Sequence, residues 1–367
     1  MLRSDEWSLV VCGGGSGGHL FPALAVVEEL RQRQAAPERV IFLTPERPID
    51  RQVLEAHGIE QHALNAINSH QLRRQPVRSL QALSLSIWQA RRLLRTVPAP
   101  VVLGTGGFGS LPGILAARWQ KRPILLLEQN VIPGRTTSFL ARFARHVCLS
   151  FLETRQFLPK ALPTENTGNP VRNAIAWMTL HSSDSKKCLL VLGGSQGAAA
   201  LNDGLIRFAE HHGRQLADWT ILHQTGESDR DRVQQAYRRI RQKAEVAAYF
   251  ENVSELYSRA SLVVTRAGGT SLAEIACAGL PAIIIPYPKS LRNHQLINAQ
   301  HFAGREAACL VEQGPAPQFD LNLTAVLRPL LEEKQRRQDL AAAMRACARP
   351  DAAQQVCDLL LKTVTQP

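Results

Sequence analysis

A chain of 367 residues, 45% apolar and 20% charged, has material for two hydrophobic cores, and its balance excludes disorder as the default state. No stretch reaches the ~20 apolar residues of a membrane span, and Asp5 and Glu6 ahead of the short run Leu9–Cys12 do not make a secretory leader, so a cytoplasmic protein is expected. The net charge of +12 is concentrated, with twelve Lys and Arg against the single acid Glu128 in residues 61–152, a field suited to lipid head groups, pyrophosphate or nucleic acid.

In chain order, Leu9–Cys12 reads as a strand running into Gly13-Gly14-Gly15-Ser16-Gly17-Gly18, then a helix whose Leu20, Leu24, Val27 and Leu30 share one face. Such a strand–glycine loop–helix unit is an anion site, because glycines let the backbone approach a ligand and the helix start offers amides and positive potential. His19, just inside that helix, has two readings. It is a surface or capping imidazole, or it is a general base for a sugar hydroxyl, kept neutral by the helix start and worth roughly 10²–10⁴-fold in rate. Strands follow at Val40–Leu43, Val101–Leu103, Ile124–Leu127 and Val147–Ser150, with a second glycine loop at Gly104–Gly109. Before the third strand, Leu80, Leu83, Ile87 and Leu94 fall on one helical face, with Arg91, Arg92 and Arg95 nearby.

The pattern restarts 180 residues after the first loop, where Cys188–Leu192 runs into Gly193-Gly194-Ser195-Gln196-Gly197. The weakly patterned His181–Lys187 precedes it. Domains at 1–172 and 173–350 are therefore expected, with Asp351–Lys362 a helix able to pack back on the first. Further strands are read at Thr220–His223, Val246–Phe250, Leu262–Thr265, Ala282–Ile285 and Ala308–Val311. Continuous apolar strands alternating with helices imply α/β domains with parallel sheets covered on both faces. At the junction Thr265–Glu274, Ser271 and Glu274 fit an S-x-x-E capping box. The other reading has Glu274 gripping two vicinal ribose hydroxyls. The polar run Arg292–Asn298 follows a strand's C-terminal end, where open α/β sheets bind ligands, and is equally compatible with an ordinary loop.

Two loops match G-x-G-x-x-G, but the second strand ends in Thr44-Pro45 rather than the acid that binds a dinucleotide ribose roughly 20 residues past the loop. A nicotinamide or flavin enzyme is therefore disfavoured. No G-x-x-x-x-G-K-[ST] or H-E-x-x-H occurs. The seven cysteines include no C-x-x-C pair, and no carboxylate cluster has metal-ligand spacing, so no metal and no cofactor is expected. Among residues 61–127 only Trp88, Phe108 and Trp119 could serve as stacking platforms, which argues against a nucleic-acid partner.

Seven motifs in order, GGGSGGHLFPALAV (13–26), GTGGFGSLPG (104–113), EQNVIPG (128–134), TGNPVR (167–172), GGSQGA (193–198), AGGTSLAEIACAGLPAIIIPYP (267–288) and NHQLINA (293–299), resemble the MurG family over nearly the whole chain. That family comprises the N-acetylglucosaminyltransferases of peptidoglycan synthesis. The chain departs from it at Leu127, where His is usual, and at Asn293, where Asp is frequent.

The resemblance implies a GT-B glycosyltransferase, two Rossmann-like doubly wound domains facing a cleft. It implies inverting transfer of N-acetylglucosamine from UDP-N-acetylglucosamine to the muramyl 4-hydroxyl of undecaprenyl-pyrophosphoryl-MurNAc-pentapeptide (lipid I), forming lipid II. By motif, His19 would be the base. The donor would meet Ser195, Phe250 on the strand before Glu251, and Gly268, Gly269, Thr270, Ser271, Leu272, Ala273, Glu274 and Gln295, with Asn298 nearby. Ser16, Gly17, Gly18, Asn130 and Arg172 would complete its site. Gly14, Gly15, Gly106 and Gly107 would hold the acceptor pyrophosphate. The basic stretch, with Arg73, Arg74, Arg78, Arg91 and Arg92, would face an anionic membrane from its cytoplasmic side as a peripheral protein. A glycolipid glycosyltransferase or a UDP-N-acetylglucosamine 2-epimerase of the same fold is the alternative; the epimerase needs a pair of acid/base carboxylates that cannot be placed in this sequence.

Overall fold

The structure, a computed structural model, describes residues 7–33, 36–64, 75–178, 187–194 and 196–365. Arg73, Arg74 and Ser195 lie outside the described residues. The chain divides into two compact units, one of residues 1–173 with 350–367, the other of residues 174–349.

The first unit is a seven-stranded parallel sheet in the order β3-β2-β1-β4-β5-β6-β7. Its strands are β1 (Ser8–Cys12), β2 (Arg39–Pro45), β3 (Glu60–Leu64), β4 (Pro100–Gly104), β5 (Ile124–Glu128), β6 (His146–Leu149) and β7 (Thr164–Glu165). Helices α1 (Gly17–Gln32), α2 (Pro48–Ala56), α3 (Pro76–Thr96), α4 (Leu111–Trp119) and α5 (Arg135–Leu140) join them, and α6 (Asn173–Ala176) lies at the junction of the units. Alternate residues of a strand face opposite sides of the sheet, and β1 is buried on both. Leu9 and Val11 join a core with Leu20, Leu24, Val27 and Leu30 of α1. Val10 joins another with Ala90, Leu94 and Ile114. Each such side chain contributes roughly 1.5–3 kcal/mol by leaving water.

The second unit is a six-stranded parallel sheet in the order β10-β9-β8-β11-β12-β13. Its strands are β8 (Cys188–Leu192), β9 (Thr220–Gln224), β10 (Ala244–Ala247), β11 (Leu262–Thr265), β12 (Ala282–Ile284) and β13 (Ala308–Leu310). Its helices are α7 (Ala199–His211), α8 (Gly213–Leu216), α9 (Arg230–Arg239), α10 (Val253–Arg259), α11 (Gly269–Ala278), α12 (His294–Ala303), α13 (Ala316–Glu332) and α14 (Lys334–Ala346). The last helix, α15 (Ala352–Thr365), belongs to the first unit: Val356, Cys357 and Leu360 sit in the core that α1 lines, and Arg33 pairs with Asp358 at 2.5 Å.

Three expectations are corrected. The strand read as Val246–Phe250 ends at Ala247, because its pairing with β9 stops at Gln224, so Phe250 lies in the following loop. The edge strands β3 and β7 carry no apolar run; β3 buries only Leu64 and is fixed by pairing with β2. On α3 the buried face is Ser79, Ser86, Ala90 and Leu94, while Leu80 is exposed. Sheet order reverses between β1 and β4 in one unit and between β8 and β11 in the other, which opens a crevice at the strands' C-terminal ends.

Candidate active site

In the first unit both glycine loops leave adjacent strands at that reversal, Cys12 of β1 being in register with Gly104 of β4. Gly14 and Gly15 take φ of 102° and 80°, a region that costs other residues strain. Gly15 is held through both of its flanking peptides by the start of α2. Its N–H donates to Oδ2 of the buried Asp50 at 2.9 Å, and Arg47 donates to its carbonyl. Gly15 is one of the residues expected to hold the acceptor pyrophosphate, and its amide is bonded to Asp50.

Ser16 is the N-cap of α1, with extended backbone and no capping bond from its side chain. Gly17 and Gly18 therefore open the helix with first-turn amides and no acid beside them, a positively polarised seat for an anion. A Cβ at Gly17 would lie 2.9 Å from the Phe21 ring, and Arg172 stacks on that same ring, its Cζ 4.3 Å from the centroid. His19 rests against the second loop: a Cβ at Gly106 would come 3.3 Å from its Cε1, and one at Gly107 would come 3.3 Å from its Nε2. Its Nδ1 lies 2.7 Å from the Thr105 carbonyl. A carbonyl only accepts, so Nδ1 carries the proton and Nε2 is the basic nitrogen.

Asn130 follows β5, and its amide and side-chain nitrogen both donate to Glu128 Oε1, at 3.0 and 3.1 Å, while Gly134 N–H donates to Oε2 at 3.1 Å. Burial pushes the Glu128 carboxyl above its ordinary range, opposed by these donors and by Thr137. Glu128 thus shapes the loop that carries Asn130. On the same unit Arg78 and Arg92 are exposed, Arg91 stacks on the exposed Trp119 at 4.4 Å, and Arg92 lies 5.9 Å over the exposed Trp88.

In the second unit β11 leads to α11, whose N-cap is Gly268 with extended backbone. The helical ladder begins with Leu272 N–H donating to Gly268 O at 3.0 Å, so the amides of Gly269, Thr270 and Ser271 precede it. As in α1, no acid stands in the first turn. The capping box read from Ser271 and Glu274 does not form, because Ser271 is already inside the helix. Leu272 is fully buried with its amide in the ladder, and Ala273 lies half-buried one residue on. Glu274, 6% exposed, accepts from the Tyr257 hydroxyl at 3.2 Å.

Phe250 is half-buried, and its N–H donates to Gln224 Oε1 at 3.2 Å. Gln295 Oε1 accepts from Tyr287 N–H at 2.9 Å, which fixes the side chain over the loop after β12. Asn298, expected near the sugar, is buried and donates to the Ala267 carbonyl at 3.1 Å, which ties α12 to the α11 junction. Beneath the loop after β8, the neutral His223 bridges Tyr237 at 2.9 Å and Asn202 at 3.0 Å, and burial lowers its pKa to about 3.

The sequence did not single out Asp50, Arg47, Thr105, Gln224 or Tyr257. Gln224 ends a strand at the ligand-binding edge, which is a usable signal. The others act through contacts 17 to 86 residues apart in sequence, which no local pattern marks. Among the described residues no three His, Cys, Asp or Glu side chains gather to hold a metal ion.

Residues 9–149 match the glycosyltransferase family 28 N-terminal domain, and residues 188–356 match its C-terminal domain. A UDP-N-acetylglucosamine--N-acetylmuramyl-(pentapeptide) pyrophosphoryl-undecaprenol N-acetylglucosamine transferase of Geotalea daltonii is 36% identical, over 95% of this chain and 96% of its own. The crystal structure of Acinetobacter baumannii MurG is 28% identical, with a TM-score of 0.69 over 97% of this chain and 99% of that one. The UDP-GlcNAc 2-epimerase of Neisseria meningitidis, 15% identical with a TM-score of 0.70 over 97% of this chain and all of its own, shares the fold alone. With both domains matched and such identity along almost its full length, the chain belongs to the MurG family of glycosyltransferase family 28.

Proposed function

We propose that the protein transfers N-acetylglucosamine from UDP-N-acetylglucosamine to the muramyl 4-hydroxyl of lipid I, giving lipid II, with inversion at the sugar's anomeric carbon. The observation that carries the mechanism is His19 held through Nδ1 by the Thr105 carbonyl at 2.7 Å, with its ring against the second glycine loop. In one displacement the hydroxyl oxygen attacks C1, Nε2 takes its proton, and the bond from C1 to the UDP oxygen breaks. The first-turn amides of α11 accept the growing charge on the diphosphate, a fixed field that needs no reorganisation during reaction. In this reading Glu274 holds the ribose, Phe250 lines the base pocket and Gln295 contacts the sugar. In the first unit the α1 amides of Gly17 and Gly18, with Arg172, supply positive potential toward phosphate.

The test is UDP release by purified protein given UDP-N-acetylglucosamine and a short-chain lipid I analogue, each omitted in turn. Release is expected only with both. His19→Ala should lose roughly 10²-fold or more in turnover; full turnover in that variant removes His19 from the role of base.

The same reading makes the protein peripheral on the cytoplasmic membrane face. Support comes from exposed Val77, Leu80 and Trp88 on α3 and Trp119 on α4, interleaved with Arg78, Arg92 and Arg118. Each base near an anionic surface adds about 1 kcal/mol. Among the described residues no helix is long and apolar enough to cross a membrane. Binding to vesicles containing phosphatidylglycerol, released by salt, is expected; binding indifferent to anionic lipid and to salt would refute the docking surface.

A further inference from the structure

A buried carboxylate is stable only where donors reach it. Glu274, 6% exposed in the second turn of α11, receives one from the fully buried Tyr257, whose hydroxyl donates to Oε2 at 3.2 Å. Tyr257 stands on α10, a helix of two turns whose placement is fixed at its start. Asn252 caps it by accepting Glu255 N–H at 3.3 Å, and two residues earlier Phe250 N–H is tied to Gln224 at the end of β9. The segment from Phe250 to Tyr257 is thus anchored to the sheet at one end and to the Glu274 carboxylate at the other. A hydrogen bond to a charged oxygen is strong and directional, and it restrains a torsion that is otherwise broad in glutamate.

We infer that Tyr257 is a positioning residue for ribose recognition: its phenol sets the plane of the Glu274 carboxylate so that it accepts from both vicinal hydroxyls, and nucleotide binding thereby depends on the 2′-hydroxyl. This deepens, and rests on, the ribose role of Glu274 proposed above. A site built to pair with a ligand hydroxyl rejects the analogue lacking it, because the buried acceptor is left unpaired. That rejection requires an acceptor held in place. Once the phenol is gone, the carboxylate can turn away from a missing partner, and selectivity falls more than affinity.

The experiment is calorimetric titration of uridine diphosphate and 2′-deoxyuridine diphosphate into wild type, Tyr257→Phe and Glu274→Ala. Wild type should prefer the ribonucleotide by about 10-fold or more. Glu274→Ala should bring the ratio near unity, and Tyr257→Phe should bring it below about 3-fold while still binding both ligands. Both ligands are measured on one preparation, so the ratio is independent of the folded fraction. Tyr257→Leu, which also lacks the hydroxyl, serves if the phenylalanine variant does not fold. A collapsed preference in Glu274→Ala with wild-type preference in the Tyr257 variants overturns the positioning role alone. Full preference in Glu274→Ala overturns the ribose reading and the positioning role together.

Discussion

Gly107 takes φ of 72°, and a Cβ added there would lie 3.3 Å from Cδ2 and Nε2 of His19. The second glycine loop therefore matters by packing flat against the imidazole as well as by exposing amides. Gly107→Ala is expected to displace the ring and lower turnover by roughly 10–100-fold with an unchanged KM for UDP-N-acetylglucosamine, the signature of a misplaced reacting group. Steady-state kinetics check this, and a rise in that KM alone would contradict it. His19 itself was visible in the sequence as a histidine at a glycine-rich helix start. Its partner was not, because Thr105 acts through a carbonyl that every residue possesses, and only the pairing of β1 with β4 brings that carbonyl to 2.7 Å.

At the scale of elements, the first glycine loop is set by the opening turn of α2. Asp50 accepts from Gly15 N–H while Arg47 donates to its carbonyl, so the peptides on either side of Gly15 are each held. Asp50→Asn keeps an acceptor oxygen and is expected to hold both thermal midpoint and turnover close to wild type. Asp50→Ala leaves the amide without its acceptor at a cost of about 1–3 kcal/mol, read as a lower thermal midpoint together with reduced turnover. Equal behaviour of the two variants would contradict a role through the hydrogen bond. The strand–glycine loop–helix units were legible because glycine runs and apolar runs are local signals. The clamp was not, since a single Asp on an amphipathic segment looks like an ordinary first-turn acid. The same limit explains Ser271 and Glu274: their spacing fits a capping box, but the helix starts two residues before Ser271, at Gly269, and Glu274 is turned toward Tyr257.

For the whole molecule, the second unit carries a pH liability in His223. Burial lowers its pKa from 6.5 to about 3, and it sits neutral between Tyr237 and Asn202. The unfolded chain binds a proton on this group below pH 6.5 while the folded chain does not, so its contribution is complete above pH 6.5 and is lost as pH falls toward 3. The expected slope from this group alone approaches about 1.4 kcal/mol per pH unit, visible in urea unfolding followed between pH 7 and 4.5, and His223→Gln should flatten it. An identical slope in that variant would contradict the assignment. The sequence by itself determined the class of fold, the repeat of its two halves and the glycine loops, because these follow from hydrophobic periodicity and backbone freedom, which are properties of neighbouring residues. Tertiary structure alone decided which nitrogen of His19 is basic, that the Gly15 amide bonds Asp50, that Phe250 leaves its strand early, that Asn298 supports the Ala267 carbonyl, and which residue steadies Glu274. Each of these is a hydrogen bond or a pairing limit between segments far apart in the chain, and such partners exist only once the sheets have set their strand order.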